Sequence, residues 1–231
     1  LDNLFREAYI SDIVKRNKIR NVGEMEALLD ILSSAIGSLT NPNKLQKTFK
    51  SVNRSKITAT TITKYIEYLE DAFLIEEAVR YDIKGKSYIG TPLKYYFMDM
   101  GLRNARINYR QIEITHSMEN VIYNELRMRG FSVDVGNLTI VENGKDGKAV
   151  KKQLEVDFIC NKGSKKYYIQ SAYQLGTEEK LAQEIRPFLK INDCFKKIVI
   201  TSDTPKPCYT DEGILMMNVY DFLLNPELMD L

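Results

Sequence analysis

Leu154-Glu155-Val156-Asp157-Phe158 and, past Lys162-Gly163-Ser164-Lys165, Tyr168-Ile169-Gln170-Ser171-Ala172 read as two adjacent strands joined by a tight turn. Alternation along a strand puts Glu155 and Asp157 on one face and Leu154, Val156 and Phe158 on the other. A nuclease that cuts with a divalent metal needs this layout: an acid on one strand, an acid or amide on the next, and a lysine two residues further on. Here that last position is Ala172, which can neither orient nor deprotonate a water. The stretch has the frame of a metal nuclease without its lysine.

Working outward, Ser117-Met118-Glu119-Asn120 opens a helix with Met118, Val121, Ile122 and Leu126 toward a core and Gly130 after its end. Strands are expected around Phe131 to Val135, Leu154 to Cys160 and Lys166 to Tyr173, with a basic loop from Lys145 to Lys152. A helix from Thr177 carries Leu181, Ile185 and Phe188, with Pro187 ending or kinking it. A buried strand, Lys197 to Thr201, and a strand and helix around Ile214 to Leu224 follow. This order predicts one mixed sheet flanked by helices.

The first half has a different rhythm. Met25, Leu28, Leu29, Leu32, Ala35, Ile36 and Leu39 form the stripe of an amphipathic helix, stopped by Thr40-Asn41-Pro42. Leu45, Phe49 and Val52 mark a second helix, and Ile62, Ile66, Leu69 and Phe73 the buried face of a third, with caps among Thr58 to Thr61. Strands Ile75 to Ile83 and Tyr88 to Met98 then flank Lys84-Gly85-Lys86-Ser87. Three helices and a hairpin describe a winged helix-turn-helix. Its third helix would offer Thr61, Lys64 and Tyr68 to a DNA groove, and its wing tip Lys84 and Lys86 to phosphates. Between Asn41 and Ile66 the chain has Lys44, Lys47, Lys50, Arg54, Lys56 and Lys64 and no acid, the electrostatic footprint of a nucleic-acid partner.

Several classes drop out. Gly85-Lys86-Ser87 imitates the end of a phosphate-binding P-loop, but the first glycine of that motif is replaced by Arg80 and no helix start follows. Cys160, Cys194 and Cys208 lack the spacing of a zinc site or disulfide scaffold, which fits a reduced, cytoplasmic setting. The lone His116, just before the expected helix start, suits a local hydrogen-bonding role and leaves Ser-His or Cys-His catalysis without support. No apolar run approaches the roughly 20 residues of a membrane span. With 44% hydrophobic and 28% charged residues in 231, the chain is an ordinary globular one, long enough for one large or two small cores.

Three groups of residues resemble a known family. These are Tyr9-Ile10-Ser11-Asp12-Ile13-Val14-Lys15-Arg16, the run Thr61 to Glu70 with Lys94 to Arg103, and Glu119-Asn120 with Glu155 to Phe158 and Ile169-Gln170. In order and spacing they resemble the C-terminal region of bacterial and archaeal AAA-type P-loop ATPases, where a winged helix and a restriction-endonuclease-like domain of unknown function follow the ATPase module. The resemblance implies a linker and helix over residues 1–22, a winged helix over 23–105 and a degenerate restriction-endonuclease-like domain over 106–231. It implies that Glu119, Asp157 and Gln170 stand at metal positions, able to hold magnesium weakly, while ATP belongs to a module upstream of Leu1. The expected fold class is α+β or α/β. The expected function is a non-catalytic effector region of the ATPase, with that module and a nucleic acid as partners and no membrane. A magnesium-dependent nuclease using Lys165 or Lys166 instead, or a protein-interaction module, are the alternatives.

Overall fold

The computed structural model describes residues 5–53, 55–110, 112–143 and 148–231. Arg54, Lys145 and the side chain of Val52, all named above, lie outside the described residues. The chain divides into two compact units. The first comprises residues 1–78 and 91–120, the second 79–90 and 121–231.

The first unit opens with a π-helical stretch, Phe5–Ile10, and α1, Ser11–Arg16. Its body is α2 (Val22–Ser34), α3 (Pro42–Thr48) and α4 (Ala59–Asp71). Each starts where a side chain satisfies an orphan N–H group: Asn21 accepts from Glu24 N, Asn41 from Lys44 N and Thr58 from Thr61 N. Met25, Leu28, Leu29, Leu32, Leu45, Phe49, Ile62, Ile66 and Leu69 are buried, as their periodicity requires. Helix α2 is shorter than expected, ending at Ser34. Ile36 is buried beyond it, and Thr40 pairs with Leu93 in an isolated antiparallel bridge. Helix α5, Met100–Arg106, is anchored to α2 by Arg103, whose Nε donates to the Ser33 carbonyl at 2.8 Å.

Phe73 is not on the buried face of α4. The helix ends at Asp71, and Phe73 sits past the cap at φ 55°, 80% exposed. Phe73 N donates to the Glu70 carbonyl and Leu74 N to the Leu69 carbonyl, so the left-handed residue turns the chain outward and Leu74 takes the buried place.

Strands β1 (Ile75–Asp82), β2 (Ser87–Phe97), β3 (Ser132–Asn143), β4 (Ala149–Lys162), β5 (Lys165–Ala172), β6 (Lys196–Thr201), β7 (Cys208–Tyr209) and β8 (Leu215–Asn218) form one eight-stranded mixed sheet in the order β2-β1-β3-β4-β5-β6-β8-β7. Helices flank it: α6 (Ile114–Met128), α7 (Glu178–Ile185) and α8 (Val219–Leu224). The sheet takes in the hairpin as well, because β1 pairs in parallel with β3 from Arg80↔Val135 to Asp82↔Asn137. The segment Lys84-Gly85-Lys86 is the turn of that hairpin and leads into a strand, not a helix. Within the expected basic loop, residues 149–152 are strand, and Lys151 and Lys152 pair with Val141 and Ile140. Helix α6 starts at Ile114, earlier than Ser117, so His116 lies within its first turn.

Alternation fails at one place in β4. Gly136 opposes Val156, but Asp134 opposes Ile159, so β4 spends one extra residue between these pairs. Val156 and Ile159, three apart, consequently share one apolar cluster with Tyr168, Ala172, Leu175, Ile185 and Phe188, and Leu154 packs against it. Phe158, expected beside Leu154 and Val156, instead packs against Tyr123 of α6, the rings tilted at 45° with centroids 6.1 Å apart.

Candidate functional site

The polar residues singled out by sequence belong to both units. In the first unit, Glu119 is buried on α6 and its Oε1 accepts from Lys94 Nζ at 2.8 Å and Tyr96 hydroxyl at 2.6 Å. His116 Nδ1 lies 3.6 Å from the other oxygen, and its Nε2 3.3 Å from Glu113. Gly37, at φ 70°, makes this packing feasible, because a Cβ there would come 2.7 Å from His116 Nδ1. Burial alone would push the Glu119 carboxyl up, but the Lys94 ammonium and the hydrogen bonds outweigh it and hold the carboxyl well below its usual range. The Glu119 carboxylate beside it raises His116 in turn, against the imidazole's own burial. Next to Glu119, Asn120 plays a backbone-like part: its amide accepts from Phe97 N at 2.8 Å and donates to Phe97 O at 2.7 Å.

A second polar centre lies in the other unit, where β4 and β5 part. Their pairing ends at Phe158↔Ile169, after which β5 continues with β6. At this fork side chains replace the ladder: Ser171 N donates to Asp157 Oδ2 at 2.8 Å and Asp157 N to Gln170 Oε1 at 3.4 Å. Gln170 Nε2 reaches Glu184 of α7 at 3.3 Å, and burial raises the Glu184 carboxyl. Ser171 Oγ is buried without a partner among the described residues.

One oxygen of Glu119 holds an ammonium and a phenol, while Gln170 Oε1 and Asp157 Oδ2 hold backbone N–H groups. Among the described residues no group of three His, Cys, Asp or Glu is placed to hold a metal ion. Ala172 is 3% exposed within the apolar cluster, so a lysine there would put an ammonium among Leu175, Ile185 and Phe188. The alternative lysines have other partners. Lys165 Nζ is 2.6 Å from Asp230, and Lys166 Nζ lies over the Tyr168 and Phe195 rings. Both sit four or five residues from Gln170, about 13–17 Å along the strand.

The expected nucleic-acid contacts divide between the units. Lys44, Lys47, Lys50 and Lys64 are exposed in the first. There the starts of α3 and α4 border a groove of about 500 Å³, lined by Asn41, Asn43, Thr60, Thr63, Lys64 and Glu67, among others. Thr61 and Tyr68 lie off this face. The Thr61 hydroxyl is 2.9 Å from that of the capping Thr58, and the Tyr68 ring leans on Tyr65 at 6.5 Å. Thr60, Thr63 and Glu67 were not anticipated, although their spacing with Lys64, opposite Ile62, Ile66 and Leu69, marks the solvent face of the helix. Lys84 and Lys86 belong to the second unit, where they border a groove of about 460 Å³.

Residues 1–113 match the family model described as "Domain of unknown function (DUF8612)". An uncharacterized protein of Haemophilus influenzae is 34% identical over 97% of this chain and 52% of its own length. The uncharacterized protein MJ1544 of Methanocaldococcus jannaschii is 30% identical over 96% of this chain and 45% of its own. The chain thus spans about half the length of the curated relatives it matches. A crystal structure of protein VC1899 from Vibrio cholerae aligns over 99% of this chain and 55% of that one, at 11% identity and a TM-score of 0.31. No helix among the described residues is long and apolar enough to cross a membrane.

Proposed function

We propose that this chain is a non-catalytic, nucleic-acid-contacting region of a longer ATPase, with a winged helix over residues 23–105 and a nuclease-like frame without cleavage chemistry over residues 106–231. The observation that carries the reading is the face of α4: Thr60, Thr63 and Lys64 line an open groove beside the start of α3, within a stretch whose ionic residues are mainly lysines. The helix-helix-helix-hairpin order and the Thr40–Leu93 bridge support the winged-helix assignment. The fork at Asp157 supports the nuclease-like assignment, and Ala172 the loss of chemistry. That the curated relatives are about twice as long agrees with a further module, here taken to be the ATPase.

Duplex DNA titrated with the chain across a salt series tests this. Each lost phosphate contact lowers the log–log salt slope by about 0.9, so Lys47→Ala with Lys64→Ala should reduce both slope and affinity. An unchanged slope rejects the α4 face. Supercoiled plasmid with magnesium should stay intact, since loss of one aimed electrostatic group costs on the order of 10²–10³ in rate. Cutting that disappears in Asp157→Ala would refute the non-catalytic reading.

A further inference from the structure

The groove on the second unit holds a chemistry that the duplex reading does not use. Its sides carry Lys84 and Lys86 from the hairpin turn, Lys166 from β5 and Lys190 from the turn after α7, with Tyr81 and Phe195 between them. None of the four lysines forms an ion pair among the described residues. The acid that borders the groove, Asp193, is already engaged: Tyr168 hydroxyl donates to one oxygen at 2.6 Å, and Lys197 Nζ lies 3.7 Å from the other. Four lysines therefore line the groove, with Asp193 engaged elsewhere and Glu142 near Lys190 as the acids close to them. Lys166 is also held in place, its Nζ lying 5.0 Å from the centroids of both Tyr168 and Phe195. Phe195 remains 39% exposed.

We propose that this groove binds a single-stranded nucleic-acid segment, phosphates on the lysines and a base against Phe195 or Tyr81. Charge alone would serve any polyanion, but the aromatic rings between the lysines favour a ligand that alternates phosphates with flat faces. The size agrees: at about 460 Å³ the recess is in the range of small-ligand sites, roughly 300–1,000 Å³, enough for a nucleotide. The site is independent of the α4 face, so each can fail alone.

The test uses the whole chain and a labelled oligothymidylate, followed by fluorescence anisotropy, beside a duplex of equal length. Lys84→Ala with Lys190→Ala, both exposed, should weaken oligothymidylate binding and lower its salt slope. Phe195→Ala should weaken it by about tenfold, the effect of one lost base stack. Duplex affinity should be unchanged in Phe195→Ala and fall in Lys47→Ala with Lys64→Ala. Circular dichroism melting confirms that each variant is folded, and the exposed lysine pair carries the test if Phe195→Ala is not. Oligothymidylate affinity within twofold of the parent chain in the lysine pair overturns the proposal. So does polyglutamate competing as well as oligothymidylate, which would mark a site for acidic peptides.

Discussion

Glu119 and Asp157 are buried acids that the sequence offers as one kind of residue, and the two units use them differently. Glu119 keeps its charge by gathering a cation, a phenol and an imidazole around it. Asp157 gives an oxygen to a backbone N–H that the parting of β4 and β5 would otherwise strand. The first is an ion-pair solution to burial, costly to break from one side. The second is a backbone repair, whose worth is one well-placed acceptor.

The largest effect should come from removing the cation. Lys94→Met leaves Glu119 buried beside a phenol and an imidazole, and should cost about 3–5 kcal/mol in denaturant unfolding. Adding Glu119→Leu should recover much of that loss. If Lys94→Met costs no more than a surface substitution, Glu119 is not held by charge.

Asp157→Ala should cost less, about 1–3 kcal/mol, for one unsatisfied buried N–H group. Asp157→Asn keeps an acceptor and should recover part of it. Faster hydrogen exchange at the Ser171 amide in the alanine variant is the local readout, and exchange as slow as in the parent chain would show the acceptor is dispensable.

The contrast also has a pH signature. Glu119 lies below its ordinary 4.5, so its stabilisation is present above that value and lost as pH falls through the lowered one. His116 lies above 6.5, so its contribution is full below 6.5 and lost as pH rises through the raised value. His116→Gln should therefore lower the melting temperature at about pH 6 and leave it little changed at about pH 9. An equal loss at both would assign His116 a packing role.

The smallest expected effect compares two helix ends. Phe73 closes α4 and Gly130 closes α6, both with positive φ, but only glycine takes that conformation without strain. Phe73→Gly should stabilise the chain by about 1 kcal/mol and Gly130→Ala destabilise it by a similar amount. A stability loss in Phe73→Gly would mean that the exposed ring has a packing partner.

Those helix ends also indicate what the sequence could tell. The elements were legible because Leu28, Leu32, Ile62 and Ile66 repeat at helical spacing and Lys162-Gly163-Ser164-Lys165 is a strong turn. Phe73 misled because it fits the apolar period of α4 by one more turn, and nothing local says that the helix has stopped. The extra residue near Phe158 leaves no trace in composition, since both faces of β4 are apolar there. The inclusion of the hairpin in the larger sheet rests on the parallel β1–β3 pairing, between residues more than 50 positions apart. Of the candidate site, Glu119, Asp157 and Gln170 stood out as residues but their partners did not. Lys94 gave one overlooked signal: a lysine inside Leu93-Lys94-Tyr95-Tyr96-Phe97 is buried with its neighbours and needs a counter-charge.

The extra residue in β4 gives the strand something like a built-in frameshift. Residues on either side of it are each in phase with their own partners but out of phase with one another. Losing one residue at Asp157–Phe158 would bring the two segments into a common phase, leaving Val156 and Ile159 on the apolar side. Losing one residue well to either side would keep the shift and add a second, turning every side chain beyond it to the wrong face. Among length variants, the shortest tolerated deletion in this strand should therefore fall at the fork itself.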